Sequence, residues 1–261
     1  MNSQQHDIQP QAIHRVSHEI KRRKLEVIRV IDVTPRMRRV TLSGPQLEGF
    51  VSLGTDDHVK LIFAQTPEEQ ALLETFVPGA LADGPRPAMR DYTPRRYDPK
   101  TGELDIDFVL HGEGPAATWA EQATAGQYLH IAGPRGSMIV PDIFDSYLLI
   151  GDETALPAIA RRVESLPANR AALVVVEIED SAEQQTFNSP AQVDVIWIVR
   201  SEQNLVDVVR KLEMPEGELY AWVATEAGLS RKVRRVLLNE FGLSEQQVKT
   251  SGYWRVEGAV D

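Results

Sequence analysis

The segment Arg90-Asp91-Tyr92-Thr93-Pro94-Arg95-Arg96 lies between a Gly/Pro-rich run at 84–87 and a turn at 98–102. As a strand, it would place Arg90 and Tyr92 on one face, because strand side chains alternate with a period of two. An Arg guanidinium suits a phosphate, and an aromatic ring two residues later can lie against a flat heterocycle. Thr93 can hydrogen-bond a ring edge. The segment therefore predicts a site for a phosphate-bearing planar cofactor such as a flavin; an edge strand with a charged face is the alternative.

Composition limits the class of protein. The chain has 261 residues, a net charge of −10 and no cysteine. This length allows two domains, and the lack of cysteine excludes disulfides and Cys-ligated metal centres. The acidic balance argues against nucleic acid as a partner. We find no apolar run long enough to span a membrane, and residues 1–10 lack the apolar core of a secretory signal, so we expect a cytoplasmic protein.

The first half has the pattern of a β-rich domain. We expect residues 1–20 to form an arm or short helix, on which His14 and His18 would share a face without a third metal ligand, so no metal site is expected. Six or seven short strands then predict an antiparallel β-barrel domain over residues 21–141. The expected strands cover 25–33, 36–42, 57–64, 90–96, 103–110, 127–132 and 137–140, with a helix at 67–76 in an insertion spanning 65–88. Asp56, Asp57 and His58 are interpreted as a turn that enters the third of these strands.

Two features of this half bear on ligand binding. Leu104, Ile106 and Phe108 alternate with polar residues, which is typical of a half-buried strand. After that strand, a glycine loop leads to Pro115, which is suited to the first turn of a helix. Because free N–H groups and the helix dipole favour anions at a helix start, this loop predicts a diphosphate site.

The second half, residues 142–261, alternates strands with helices. Expected strands are 147–150, 173–178, 193–199 and 219–224, and expected helices are 155–166, 204–212 and 229–241. This predicts a parallel α/β domain with ligands at the carboxyl ends of its strands. The Gly-x-Gly-x-x-Gly pattern is missing. Gly151 and Thr154 still suit a turn and a helix start that could meet a diphosphate, and a plain capped helix is the alternative.

Several segments, in order, resemble the siderophore-interacting protein family of flavin-dependent ferric-siderophore reductases. They are Asp56-Asp57-His58-Val59-Lys60, Arg90-Asp91-Tyr92-Thr93-Pro94-Arg95, Asp107-Phe108-Val109-Leu110-His111-Gly112, Gly114-Pro115-Ala116-Ala117-Thr118-Trp119-Ala120, Gly133-Pro134-Arg135-Gly136-Ser137, Gly151-Asp152-Glu153-Thr154-Ala155-Leu156-Pro157-Ala158 and Tyr253-Trp254-Arg255. The resemblance implies a FAD-binding barrel followed by a nicotinamide-nucleotide domain whose C-terminal segment covers the flavin.

The resemblance also assigns roles to residues. The cofactor-binding residues that it implies are Arg90, Asp91, Tyr92, Thr93, Asp107, His111, Gly114, Ala116, Ala117 and Trp119 for FAD, Gly151, Asp152, Glu153, Thr154 and Ala155 for NADH or NADPH, and Trp254 over the flavin ring, where an ordinary core aromatic is the alternative. The residues expected to attract an anionic ferric siderophore are Lys60, Arg95, Arg135 and Arg255, for which solvated charges or contacts to the cofactor's phosphates are the alternatives. No catalytic acid, base or nucleophile is required, because the flavin supplies the chemistry.

One position departs from the family pattern. Thr225 stands where the family usually has glycine, which places a side chain where a ligand would approach closely. Glu177 and Asp180, at the end of the second strand of the α/β domain, suit a free ribose hydroxyl and favour NADH over NADPH, while Arg231 and Lys232 argue the other way.

Three hypotheses follow for the function. The first is a monomeric reductase that passes electrons from NAD(P)H through FAD to Fe(III) in a siderophore and so releases Fe(II). The second is a carrier that binds siderophore without turnover, which Thr225 would suit. The third keeps the flavoenzyme but changes the donor to reduced ferredoxin, or the acceptor to free flavin.

Overall fold

The computed structural model describes residues 12–75, 86–112 and 114–256. Residues 1–11 of the expected arm, Phe76 and the following loop to residue 85 lie outside this range. The strands of the first half are β1 (His14–Ser17), β2 (Arg22–Thr34), β3 (Met37–Ser43), β4 (Val59–Phe63), β5 (Ala88–Tyr92), β6 (Pro94–Asp98), β7 (Glu103–Val109), β8 (Tyr128–Ala132) and β9 (Gly136–Ile139), and its helices are α1 (Pro67–Thr75) and α2 (Pro115–Gln122).

The first half is a curled antiparallel sheet. Among the described residues, seven strands pair in the order β5-β4-β8-β2-β3-β7-β6. The two edge strands, β5 and β6, are separated in sequence only by Thr93. Because so short a connection keeps the end of β5 within about 8 Å of the start of β6, the sheet must bend round into a barrel-like shape. The predicted antiparallel barrel is confirmed.

This curl corrects our interpretation of residues 90–96 as a single strand. Arg90 and Tyr92 pair with Leu61 and Val59 of β4, whereas Pro94 pairs with Ile106 of β7. Proline cannot donate a ladder hydrogen bond and is therefore tolerated at a strand start or edge. The chain thus leaves one edge of the sheet and joins the other at Thr93.

Strand β7 is buried on both faces, not on one as its alternation predicted. Leu104, Ile106 and Phe108 are fully buried, but Asp105 and Asp107 are also only 3% and 5% exposed. Arginines pair with both carboxylates and permit their burial. Asp105 accepts hydrogen bonds from Arg96 and Thr41, and Asp107 accepts two from Arg39.

The described part of the N-terminal arm contains a strand, not the loose chain or helix that we expected. His14–Ser17 forms β1, which pairs with β9 so that His14 faces Ile139. His18 does not share a helix face with His14; its Nε2 lies 2.7 Å from the Ser137 hydroxyl. The arm is therefore part of the structure that surrounds β9.

The second half is a parallel sheet, as predicted. Its elements are β10 (Ser146–Asp152), α3 (Leu156–Ser165), β11 (Ala171–Ile178), β12 (Gln192–Val199), α4 (Leu205–Val209), β13 (Leu219–Glu226), α5 (Ala227–Asn239) and β14 (Val248–Trp254), and the strand order is β12-β11-β10-β13-β14. The sequence did not predict β14. This segment consists of small, charged and aromatic residues without an apolar run. In the structure it nevertheless pairs in parallel with β13.

The two halves are joined by buried polar contacts. The Glu183 carboxylate, which is 2% exposed, accepts hydrogen bonds from Arg36 N at 2.9 Å and from the Thr34 hydroxyl in the β2–β3 hairpin. Arg95 of β6 donates two hydrogen bonds to Glu164 of α3, at 2.9 and 2.6 Å. These contacts set the relative position of the two sheets. In the described residues, no helix is long and apolar enough to cross a membrane.

Candidate functional site

A cleft of about 680 Å³ lies between the two halves. One wall comes from β5, β7 and the start of α2 in the barrel. The other comes from the turn after β10 and from β14. This volume is within the range of about 300–1,000 Å³ that small-molecule sites occupy. The carboxyl ends of β10, β13 and β14 lie at this edge of the parallel sheet, where α/β domains bind ligands.

The barrel wall presents an aromatic ring and a cation. The Tyr92 ring packs on Phe108 with centroids 4.6 Å apart, which holds the ring in place at the cleft. Burial raises the pKa of the Tyr92 hydroxyl, so it is neutral at ordinary pH. Arg90 is exposed, and its guanidinium donates only to the carbonyl of Met89 at 2.8 Å, without a carboxylate partner among the described residues. A planar cofactor with a phosphate would meet both groups here.

Helix α2 begins at this wall. Gly114 has a φ of +89°, which non-glycine residues rarely adopt, and Pro115 follows it in the first turn. The Thr118 N–H bonds to the Gly114 carbonyl at 3.0 Å, so the helical ladder starts there. The N–H groups of Ala116 and Ala117 precede that first bond, and both residues line the cleft. This arrangement suits a diphosphate.

The opposite wall is supported from behind by the Asp152 carboxylate, which is 1% exposed. One of its oxygens accepts hydrogen bonds from the Thr154 N–H and hydroxyl, at 2.9 and 2.5 Å. The other accepts from the Thr225 hydroxyl and the Trp254 indole N–H, both at 2.8 Å. Asp152 therefore fixes the turn that starts α3 and the end of β14 together. Thr225 is fully buried against Asp152 and does not line the cleft. We had expected its side chain to stand where a ligand approaches.

Next to Asp152 in sequence, Glu153 belongs to a cluster of three carboxylates around Arg200. Arg200 donates to Glu153 at 2.8 Å, to Glu177 at 3.1 Å and to Glu179 at 2.6 Å. Burial alone would lower the pKa of Arg200, but Glu153 and Glu177 raise it overall. Burial raises the pKa of Glu153, and the Arg200 charge opposes this rise. Arg200 therefore pairs with both Glu153 and Glu177, but of the two only Glu153 lines the cleft. Glu177 is set back from the cleft and paired with Arg200, which leaves it less suited to a ribose hydroxyl than the sequence indicated.

An ion pair crosses the cleft between the two halves. Lys249 of β14 donates to Asp56 at 2.5 Å, and the Trp222 indole N–H donates to the same carboxylate oxygen at 3.3 Å. Next to it, the buried Asp57 accepts hydrogen bonds from Ser137 and from Gly54 N. The turn at 56–58 is therefore a polar junction between the domains.

The structure brings many of the expected site residues to the cleft. Those that line it are Arg90, Asp91, Tyr92, Thr93, Asp107, His111, Gly114, Ala116, Ala117, Glu153, Thr154 and Trp254. Gly151, Asp152 and Ala155 lie behind the wall. Gly151 is needed for packing, because a Cβ there would be 2.5 Å from the Ala155 Cβ. Trp119 packs on Phe108 inside the barrel, 5.5 Å between ring centroids.

The four basic residues expected to attract substrate do not line the cleft in the described part of the chain. Lys60 is held at 2.7 Å by Asp91, which does line it. Arg135 and Arg255 are exposed and adjoin the cleft residues Gly136 and Trp254 in sequence. Arg95 forms an ion pair with Glu164 at the domain junction.

Sequence reasoning missed two cations that line the cleft, Arg15 and Lys249. Arg15 lies on β1, in the arm that we expected to be loose, and Lys249 lies on β14, which we did not expect. An alternating pattern is present in both segments but is too short or too polar to signal a strand. No metal-binding group of His, Cys, Asp and Glu occurs among the residues described.

Two family models together match most of the chain. Residues 26–138 match the siderophore-interacting FAD-binding domain, and residues 144–257 match the siderophore-interacting protein model. The first match covers the curled sheet and the second covers the parallel sheet, so the class is a FAD-binding barrel joined to an α/β domain. The chain belongs to the siderophore-interacting protein family, as the ordered motifs indicated.

Individual relatives extend over nearly the whole chain. The NADPH-dependent ferric-chelate reductase of Escherichia coli is 33% identical over 95% of this chain and 98% of its own. The ferric vibriobactin reductase ViuB of Vibrio cholerae is 31% identical over 92% and 93%. A crystal structure of a siderophore utilization protein from T. fusca superposes with a TM-score of 0.82, at 37% identity, over 95% of this chain and 98% of that one.

Proposed function

We propose that this protein is a FAD-dependent ferric-siderophore reductase that takes electrons from a reduced nicotinamide nucleotide. The observation that carries the proposal is that one and the same cleft is lined by Arg90 and Tyr92, the start of α2 and the turn after β10. These are the segments that a flavin, a diphosphate and a nicotinamide nucleotide would need.

The residues present fit FAD. Tyr92 offers a ring fixed by Phe108, Arg90 offers a cation that has no carboxylate partner in the described part of the chain, and Ala116 and Ala117 offer N–H groups at a helix start. FAD, when bound, supplies the conversion of a two-electron donor into single-electron delivery to Fe(III). The protein's part is to hold the cofactor and to keep both partners within reach of it.

The donor would bind against Glu153 and Thr154, which line the cleft at the carboxyl end of β10. The sequence favoured NADH because of Glu177 and Asp180. In the structure Arg200 donates to Glu177, and Asp180 accepts from Ala182 N at 2.8 Å. Both carboxylates already have partners, and the E. coli relative is named for NADPH. We therefore propose a nicotinamide donor without the preference for NADH.

The substrate would approach the open side of the cleft. Ferric siderophores are often anionic, and basic groups next to the cleft raise the local concentration of anions. Arg15 and Arg90 line it, and Arg135, Arg255 and Lys60 adjoin residues that do. The carrier hypothesis loses its main support, because Thr225 is turned into the domain and not into the cleft.

A steady-state assay tests this proposal. Protein saturated with FAD is mixed with NADPH or NADH and a ferric siderophore, and a ferrous chelator reports Fe(II). We expect Fe(II) formation well above that of free FAD alone. Activity with reduced ferredoxin but with neither nucleotide would show that ferredoxin, and not a nicotinamide nucleotide, is the electron donor. Fe(II) formation no faster than with free FAD would reject the proposal.

A further inference from the structure

A second cavity, of about 510 Å³, lies at the domain junction outside the cofactor cleft. The barrel contributes the loop at 53–55, Arg95, Arg96 and part of β9. The second domain contributes Asp142, Tyr147 and the end of α3 with the residues that follow it. The Asp142 carboxylate is already paired with Arg170, at 2.6 Å. Met138 borders both cavities, and the remaining lining is separate.

Two neighbouring arginines on α3 line this cavity without a carboxylate partner. Arg161 donates to the Ser52 hydroxyl and carbonyl, at 3.1 and 3.2 Å. The Arg162 guanidinium lies over the Tyr147 ring, 5.7 Å from its centroid. Neither forms an ion pair with any residue in the described ranges, although both are partly buried.

The other charged groups of the cavity are already paired. Arg95 donates to Glu164, and Arg96 donates to Asp105 at 2.8 Å, which raises the pKa of Arg96. Burial instead lowers the pKa of Arg161 and Arg162. The more distant carboxylates of Asp56, Asp57 and Asp142 offset this lowering only in part. A buried cation without a direct ion-pair partner is costly, so two of them beside an open cavity indicate a site for an anion.

The cavity is also partly apolar. Leu53, Ile139, Leu166 and Pro167 contribute to its walls, and the Tyr147 ring lies beneath Arg162. Its volume is more than an inorganic ion needs, and it is in the range of small-molecule sites. An anionic head at the arginines and an apolar body against these side chains would use both features.

We propose that this arginine pocket, formed by Arg161, Arg162, Tyr147 and the loop at 53–55, binds a small organic anion of the phosphate-ester class. The guanidinium groups bind the phosphate oxygens in forked hydrogen bonds, and the apolar walls bind the ester group. Because both domains line the pocket, the bound anion stabilises their docking. This inference does not rest on the proposed reductase function.

Isothermal titration calorimetry tests the pocket with two probes, inorganic phosphate and phenyl phosphate, in the presence of excess FAD so that the phosphate sites of the cleft are occupied. We expect phenyl phosphate to bind with one site and a Kd below about 1 mM, about tenfold tighter than phosphate because its ring is buried. The variants Arg161→Gln and Arg162→Gln each weaken phenyl phosphate binding about tenfold or more. Arg210→Gln, which removes an exposed arginine of the same domain, leaves it unchanged.

Two results would overturn the proposal. One is wild-type protein that binds neither probe in this range. The other is binding that both pocket variants retain to within about threefold. Circular dichroism shows whether the variants fold. A crystal of the wild-type protein soaked in phenyl phosphate supplies a test without substitution: we expect density between Arg161 and Arg162, and density elsewhere only would contradict the site.

Discussion

The two walls of the cleft between the barrel and the α/β domain are built in opposite ways. The barrel wall presents groups with few partners among the described residues: Arg90 donates to a backbone carbonyl, and the start of α2 has no side-chain cap. The α/β wall contains carboxylates that protein donors already occupy. Glu153, which lines the cleft, accepts from Arg200, and Asp152, which lies behind the wall, accepts from Thr154, Thr225 and Trp254.

This difference matches two kinds of ligand. Groups that lack partners in the protein gain the most free energy from a ligand, so the barrel wall suits a cofactor that stays bound. A wall whose polar groups are satisfied gains less, and it suits a donor that must bind and leave in each turnover. The substitutions below test the two walls separately.

On the barrel wall, Arg90→Ala has the largest expected effect. Loss of a charge-assisted contact to a phosphate costs about 2–3 kcal/mol, which is about a 30- to 150-fold rise in the Kd for FAD. Quenching of flavin fluorescence measures this affinity. Arg29→Ala is the matched control, because Arg29 is an exposed barrel arginine that pairs with Glu103 and lies outside the cleft. Equal effects of the two variants would contradict the role of Arg90.

On the α/β wall, Asp152→Ala should affect stability instead of FAD binding. It removes the acceptor for Thr225, which is buried, and the cap of the turn before α3, so we expect a loss of about 2 kcal/mol in the free energy of unfolding. Denaturant unfolding measures it. Asp207→Ala, an exposed carboxylate paired with Arg210, is the control and should change stability by less than about 0.5 kcal/mol. Unchanged stability of Asp152→Ala would show that the network contributes nothing.

Two substitutions of Tyr92, on the barrel wall, separate the contribution of its ring to FAD binding from that of its hydroxyl. Tyr92→Ala removes the stacking surface, and we expect FAD affinity to fall about tenfold, or about 1.4 kcal/mol. Tyr92→Phe keeps the ring on Phe108 and should bind FAD within about twofold of the wild type. A large loss in Tyr92→Phe would instead assign the contact to the hydroxyl.

Trp254→Phe has the smallest expected effect. It removes the indole N–H that donates to Asp152, but that carboxylate keeps its bonds from Thr225 and Thr154, and Trp254 is 41% exposed. We expect a change below about 0.5 kcal/mol in the free energy of unfolding. A loss as large as that of Asp152→Ala would show that the indole holds the whole network.

Local patterns predicted the elements that are apolar and regular, and they failed where pairing partners are distant. The apolar strands β10, β11 and β13 follow from their sequence, as does the start of α2 at Pro115. By contrast, β1 and β14 are short or polar, and only their pairing with β9 and β13 makes them strands. Arg15 and Lys249 were missed for this reason.

The second limit on prediction from sequence was that the partners of polar and charged side chains are distant along the chain. The Arg95 side chain could not be assigned to the domain junction from sequence, because its partner Glu164 is far along the chain. Thr225 likewise looked like an obstacle to a ligand, and only the structure shows that its hydroxyl bonds to Asp152. The site residues expected at the flavin remain predictions until binding is measured.

The most direct test of the central claim is an anaerobic absorption spectrum of the FAD-loaded protein during stepwise addition of NADH, NADPH and then a ferric siderophore. We expect a nicotinamide nucleotide to bleach the flavin bands, and the siderophore to restore them while a ferrous chelator gains colour. Flavin bands that neither nucleotide bleaches, or protein that takes up no FAD, would contradict the proposed reductase.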